Sequence, residues 1–406
     1  MTDQNDNLTL IRESFALVQQ HADKLTGHFY ATLFLHHPEA RALFPPAMDL
    51  QRDRLFRALA GAVRMLDRPA ELTTFLQQLG RDHRKYGVQS AHYDAVGAAL
   101  LSTLRRFAGE AWTPAHEQAW TEAYGQIAAA MSGAAEADAA GSPASWLAEV
   151  VGHEQRSADL AVLTLRPESP FPYRAGQYTT VETARWPRVW RPYSIANAPR
   201  RDGLLNLHVR AVPAGWVSNT LVHHTRVGDV LRLGPGRGAM TLPERPARRV
   251  VCVAGGTGLA PVKALVEEMI ARNRPLTLHL FVGARRESDL YDLRSLRQLA
   301  SVFPRLLLVP VVSEQIEYPG VVGRLPEVVP AQGHWVHHEV FVSGPDDMVV
   351  SMVERFQRDG VPAERLHYEL STTPAELDIT SGLLDGGVPP FQQQPQQRTR
   401  TDGPSR

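Results

Sequence analysis

At 406 residues, with 43% hydrophobic and 21% charged positions, the chain is too long for one ordinary domain. It fits two or three units of about 100–200 residues each. Lys+Arg (43) equals Asp+Glu (43), so the net charge gives no footprint for nucleic acid or an anionic membrane.

The opening MTDQNDNLTL has neither the basic flank nor the apolar core of an export signal, and no apolar run approaches a membrane span. The single cysteine, Cys252, excludes an intramolecular disulfide framework and a Cys-rich metal cluster. It is compatible with a reducing compartment. The expectation is a soluble, cytoplasmic, monomeric protein of several domains.

Residues 1–132 read as an all-α unit. Apolar side chains recur at helical spacing in Leu10, Phe15, Leu17 and Val18, and again in Leu25, Phe29, Leu33 and Phe34. Pro38, Pro45, Pro46 and Pro69 interrupt the pattern. Further helices are predicted over about 70–85, 90–107 and 114–131. Residues 133–145 (GAAEADAAGSPAS) are small and without apolar periodicity, the composition of a linker.

From Trp146 to about residue 246 the period shortens to two. LAVLTLRP, GQYTTVET, YSIAN, LNLHVRAV and GDVLRLG alternate with Gly and Pro turns, which predicts an antiparallel β-barrel or sandwich. Over 247–370 strands alternate with helices, beginning with RVVCVAGG and APVKALVEEMIARN. That order predicts a doubly wound parallel sheet. The Gln/Pro-rich residues 371–406 are expected to be a disordered tail.

Several short motifs carry chemistry. In Arg191-Pro192-Tyr193-Ser194 an arginine suits a phosphate, a tyrosine suits a flat ring, and a hydroxyl suits a ribityl or ring atom. Four residues also match by chance. Downstream stand His208-Val209-Arg210 and Gly215-Trp216-Val217-Ser218-Asn219. The second motif leads into a predicted helix start, which favours a pyrophosphate.

Gly255-Gly256-Thr257-Gly258 lies between a buried strand and a helix whose first turn holds Pro261. Glycines there let the backbone approach a pyrophosphate, although a purely structural turn has the same composition.

Taken in order, these motifs and Ser343-Gly344-Pro345-Asp346-Asp347-Met348 resemble the ferredoxin–NADP reductase family over about 146–370. The resemblance implies that Arg191, Tyr193 and Ser194 hold FAD, with His208 beside them and Ser218 at its phosphates. It implies that Gly255, Gly256, Thr257 and Gly258, helped by Gly344 and Pro345, hold the nicotinamide nucleotide. Ser343 stands where that family usually has a cysteine. Arg285 and Arg286 follow the second strand; they suit either a 2′-phosphate or simple solvation, so NADH and NADPH stay open.

In the helical part, a single histidine such as His83 is ordinarily just hydrogen-bonded. Its company of Tyr30, Phe44 and Gln51, in that order, resembles a globin. A globin ahead of this reductase resembles a flavohaemoglobin over about 8–370. The resemblance implies that His83 ligates the iron of haem b, with Tyr30 and Gln51 as distal donors and Phe44 packed on the haem. Leu55 would form a distal apolar wall, or simply core, and Tyr93 would be the proximal tyrosine. Glu369 would stand between flavin and haem.

Two departures accompany this resemblance. Ala135 occupies the place of the family's proximal glutamate, with Glu136 next to it, and Ser371 replaces an aromatic expected to cover the flavin. The activity implied is a nitric oxide dioxygenase that uses NAD(P)H, FAD and haem, with NO, O2 and NAD(P)H as its small-molecule partners. The alternatives are a flavohaem reductase of peroxides or with another electron donor, and a haem-based oxygen or redox sensor.

Overall fold

The computed structural model describes residues 2–244, 248–272 and 276–370. Six helices come first: α1 (Thr2–Val18), α2 (Ala22–His36), α3 (Asp49–Arg64), α4 (Pro69–His83), α5 (Ser90–Ala108) and α6 (Pro114–Ala139). Prolines at the first helical position open α4 and α6, where the missing N–H is not needed. Thr113 and His116 close a reciprocal cap at the start of α6.

Of the apolar residues predicted at helical spacing, all but Leu17, which is exposed, meet in one core, where Leu104 and Trp120 join them. Each such side chain contributes roughly 1.5–3 kcal/mol when fully removed from water. The core holds even its polar groups in pairs, for the Trp120 indole donates to Ser14 Oγ at 2.9 Å.

The predicted linker begins too early. Helix α6 continues through the first seven of its residues, to Ala139. Alanine is the strongest helix former, so a small-residue run lacking periodicity does not by itself end a helix. Arg84, just past α4, pairs with Asp138 in the last turn of α6 and donates to the Ser142 carbonyl at 2.6 Å. The irregular connection is therefore short and pinned.

The second unit contains β1 (Trp146–Ser157), β2 (Leu160–Pro167), β3 (Tyr178–Thr183), β4 (Arg191–Ser194), β5 (Leu205–Arg210), the short helix α7 (Trp216–Asn219) and β6 (Val230–Leu233). All its strand pairs are antiparallel, in the order β4-β3-β6-β1-β2-β5. A bridge between Ile195 and Leu207 brings the two ends of the sheet together into a near-closed barrel. Its interior is filled by Trp146, Val150, Leu163, Val181, Leu207 and Leu233 among others.

The third unit runs β7 (Arg249–Gly255), α8 (Leu259–Ala271), β8 (Thr277–Ala284), α9 (Leu293–Val302), β9 (Leu306–Val312), β10 (Val321–Val322), α10 (Leu325–Ala331), β11 (Glu339–Ser343), α11 (Asp346–Arg358) and β12 (Leu366–Tyr368). The sheet is wholly parallel in the order β10-β9-β8-β7-β11-β12. Separate apolar cores cover its two faces, as a parallel sheet requires.

The chain reverses direction across the sheet between β7 and β11. Loops after such neighbouring strands diverge and leave a ligand crevice. The predicted tail, with Ser371, lies outside the described residues.

Candidate functional site

Helix α4 delivers His83 at its last turn. The ring Nδ1 lies 2.7 Å from the Leu79 carbonyl. A carbonyl only accepts, so Nδ1 carries the proton and the Nε2 lone pair is left for a metal. Burial pushes the His83 pKa below its ordinary value, which keeps the ring neutral. This tautomer fits a haem iron ligand.

Across the same core, Tyr30 on α2 is buried against Phe29, Phe34 and Phe44. Its hydroxyl donates to the Gln51 carbonyl at 3.4 Å, a long and weak bond. Desolvation pushes the Tyr30 pKa up to about 12, with Gln51 and the cations Arg52 and Arg54 opposing the rise. The phenol therefore stays a donor near neutral pH. Phe44, Leu55 and Phe56 are half-buried partners of this core. Tyr30, Phe44 and Gln51 thus gather on one side of the helical unit, and their donor-plus-apolar character suits a flat, largely apolar group.

Tyr93 is half-buried on α5, and its carbonyl accepts the Tyr124 hydroxyl at 2.6 Å. Glu136 accepts from Ser90 Oγ at 3.1 Å, so its bond goes to Ser90, whereas His83 bonds a backbone carbonyl.

In the barrel, β4 holds Arg191, Tyr193 and Ser194 half-buried, paired to β3. Burial lowers the Arg191 pKa, with Arg54 of the helical unit adding to the effect, and burial raises that of Tyr193. Ser218 Oγ closes its own loop, accepting from the Val212 amide and donating to the Gly215 carbonyl, both at 3.3 Å. His208 is buried with Nδ1 2.8 Å from the Tyr291 hydroxyl, and burial pushes its pKa down to about 3. Its Nε2 is buried without a hydrogen-bond partner. The residue thus joins barrel to parallel sheet at the same time as it offers an orphaned nitrogen.

At the crevice, a Cβ on Gly258 would collide with the Ser343 carbonyl and the Gly344 nitrogen. Only glycine lets the loops after β7 and β11 approach so closely. Gly256 has φ +54° and open space where a side chain would stand, a backbone cradle suited to a dinucleotide. Gly255 and Thr257 flank it, and Gly344 and Pro345 face it from the start of α11. Arg285 and Arg286 are exposed, and Arg285 lies 3.6 Å from Glu314.

Apart from the place that the resemblance implies for Glu369, the contacts between the three units were not foreseen from the sequence. Arg237 of the barrel donates to Asp82 at 3.1 Å and Gln78 at 3.3 Å, both on α4. Glu369 accepts from the amides of Ala239 (2.9 Å) and Met240 (3.4 Å), in the same barrel segment. Lys85 is buried beside Thr180, and Arg188 donates to the carbonyls of Ala42 and Tyr86.

Comparison with known proteins agrees with this architecture. The globin family matches residues 27–131, the oxidoreductase FAD-binding domain residues 147–241, and the oxidoreductase NAD-binding domain residues 252–354. A flavohemoprotein of Bordetella pertussis is 32% identical over 310 residues, covering 70% of this chain and 75% of that one. One from Chromobacterium violaceum is 28% identical over 396 residues, covering 89% and 96%. Among solved structures, the flavohemoglobin of Malassezia yamatoensis, with bound FAD and heme, matches with TM-score 0.73 at 20% identity over 90% of this chain and 98% of that one. With its helical unit, barrel and parallel sheet in this order, the chain is an oxidoreductase belonging to the flavohaemoglobin family.

Proposed function

We propose that the protein is an NAD(P)H-dependent nitric oxide dioxygenase that converts NO and O2 to nitrate. The observation that carries this reading is the direct seating of the barrel on the His83-bearing helix, through Arg237, Asp82 and Gln78. A nucleotide-fed module is thereby held against a globin pocket. When bound, haem, FAD and the nicotinamide supply the redox chemistry, and the protein supplies placement and field.

In this reading His83 presents a neutral Nε2, fixed by the Leu79 carbonyl. Tyr30 keeps its proton and, with Gln51, offers donors where negative charge develops on the distal side. Phe44 and Leu55 keep water from that side. Arg191, Tyr193, Ser194, His208 and Ser218 hold the flavin, and Gly255, Gly256, Thr257, Gly258, Gly344 and Pro345 hold the nucleotide. Glu369, anchored on the Ala239 and Met240 amides, fixes the end of the described chain beside the barrel.

The proximal side departs from the family pattern in a way that bears on the dioxygenase and the peroxide-reducing alternative alike. A carboxylate on the ligand histidine would push electron density onto iron. Here a neutral carbonyl takes that position and Glu136 is bonded to Ser90.

A nitric oxide electrode tests the reading directly, with haem- and FAD-loaded protein, O2 and either NADH or NADPH. Fast NO loss that stops when O2 or nucleotide is omitted is the expected result, and it identifies the preferred donor. Persistence of NO in the fully loaded protein would overturn it.

A further inference from the structure

An aromatic file crosses the boundary between the globin and the barrel. The Tyr86 ring lies 6.3 Å from the His83 ring and 6.4 Å from the Trp190 ring, centroid to centroid and edge-on in both cases. Tyr86 comes three residues after the ligand histidine. Trp190 immediately precedes Arg191, the first residue of the flavin-type strand, and is 5% exposed. Its indole Nε1 is buried without a hydrogen-bond partner.

We propose that Tyr86 and Trp190 form the bridge by which single electrons cross from the flavin strand to His83. The proposal rests on the reading above that electrons pass between these two halves. It adds the residues that carry them, which no motif in the sequence marks.

Two cations bear on how the bridge works. The Lys85 ammonium lies 5.4 Å from the Tyr86 ring centre and 5.5 Å from that of Trp190. The Arg232 guanidinium lies 5.4 Å from the Trp190 ring centre. Arg232 is neutralised by buried Glu182 at 2.9 Å, whereas Lys85 makes no ion pair among the described residues and bonds Thr180 Oγ1 at 3.3 Å.

Positive charge beside an aromatic ring opposes removal of an electron from it. The rings therefore stay closed-shell, and the electron tunnels through them without oxidising the indole. Over two crossings the reduced flavin gives up two electrons and one proton. Ferric iron takes up one electron in each of two turnovers, and no bond in either ring forms or breaks.

The test uses the full chain loaded with haem and FAD, mixed anaerobically with NADH in a stopped-flow instrument, and read at the flavin and haem bands. Wild type, W190L, Y86L and W190F are compared. Flavin reduction is expected at one rate in all four. Haem reduction should slow about tenfold in W190L and Y86L, equivalent to about 1.4 kcal/mol of barrier, and W190F should recover most of the loss.

Dithionite should reduce the haem in every variant alike, with unchanged haem spectra. Independently of turnover, titration of the apoprotein with FAD should quench less tryptophan emission in W190F than in wild type. Haem reduction in W190L and Y86L at the wild-type rate would overturn the bridge. Equal slowing in W190F and W190L would also overturn it, since that is the mark of packing alone, as would unchanged quenching. A wild-type haem that NADH does not reduce would overturn the functional reading and the bridge with it.

Discussion

The fixed tautomer of His83 leads to a specific expectation. His83→Ala removes the only nitrogen that the Leu79 carbonyl prepares for iron, so haem titrated into the variant should give no ligated Soret band, while the helical content stays as in wild type. Tyr30→Phe keeps the ring contacts with Phe34 and Phe44 and deletes a buried donor. A hydrogen bond of about 1 kcal/mol or more is lost, and O2 should leave roughly tenfold faster by flash photolysis.

His208 gives a pH prediction. Its folded pKa, about 3, lies below the ordinary histidine value, so between these two the unfolded chain binds the additional proton. Stability is therefore lost as pH falls from about 6.5 towards 3. In His208→Gln, which retains a group able to bond Tyr291, that part of the acid sensitivity should vanish from a plot of melting temperature against pH.

His83 and the residues at 191–194 and 255–258 stood out in the sequence as candidates because their motifs are contiguous or ordered along the chain. Arg237, Lys85, Tyr86 and Trp190 did not. Each finds its partner only through folding, as Arg237 does with Asp82, 155 positions away.

Helix α4 is the element on which the candidate haem site depends, and its seating is sterically tight. A Cβ at Gly80 would collide with the Met131 carbonyl of α6, and that neighbour is backbone, which yields little. Gly80→Ala should therefore cost about 1–3 kcal/mol, as overpacking does, despite alanine's better helix propensity. A lower melting temperature with weakened haem retention would follow, because the shift displaces the turn that ends in His83.

The periodicity of α4 and α6 was visible in the sequence, but the end of α6 was not. Composition alone does not distinguish an alanine-rich linker from an alanine-rich helix. What settles the matter is the long-range pairing of Arg84 with Asp138. The type of each sheet, antiparallel then parallel, was visible in the alternation of residues and of elements, whereas β12 is only three residues long and carries too little pattern to be read as a strand.

Across the whole molecule, one barrel segment touches both neighbours. Arg237 grips α4, and two residues on, the Ala239 amide holds Glu369 from the end of the parallel-sheet unit. Partly exposed ion pairs contribute little stability; the Arg237–Asp82 pair, with side chains 21% and 31% exposed, should add only about 1 kcal/mol or less. Its larger consequence is geometric. It fixes the barrel against the helix that carries His83 and so sets the spacing that Tyr86 and Trp190 span.

Arg237→Ala should therefore leave the melting temperature nearly unchanged and the NADH-driven bleaching of the flavin at its wild-type rate. Transfer onward to the haem should slow several-fold. Asp82→Asn should reproduce the slowing, because it keeps the side chain's size and removes the charge that Arg237 meets. Added salt should then slow transfer in wild type more than in either variant, since only the intact pair is left to screen. Equal salt dependence in all three proteins would show that the segment holds the units together by packing, with no electrostatic part.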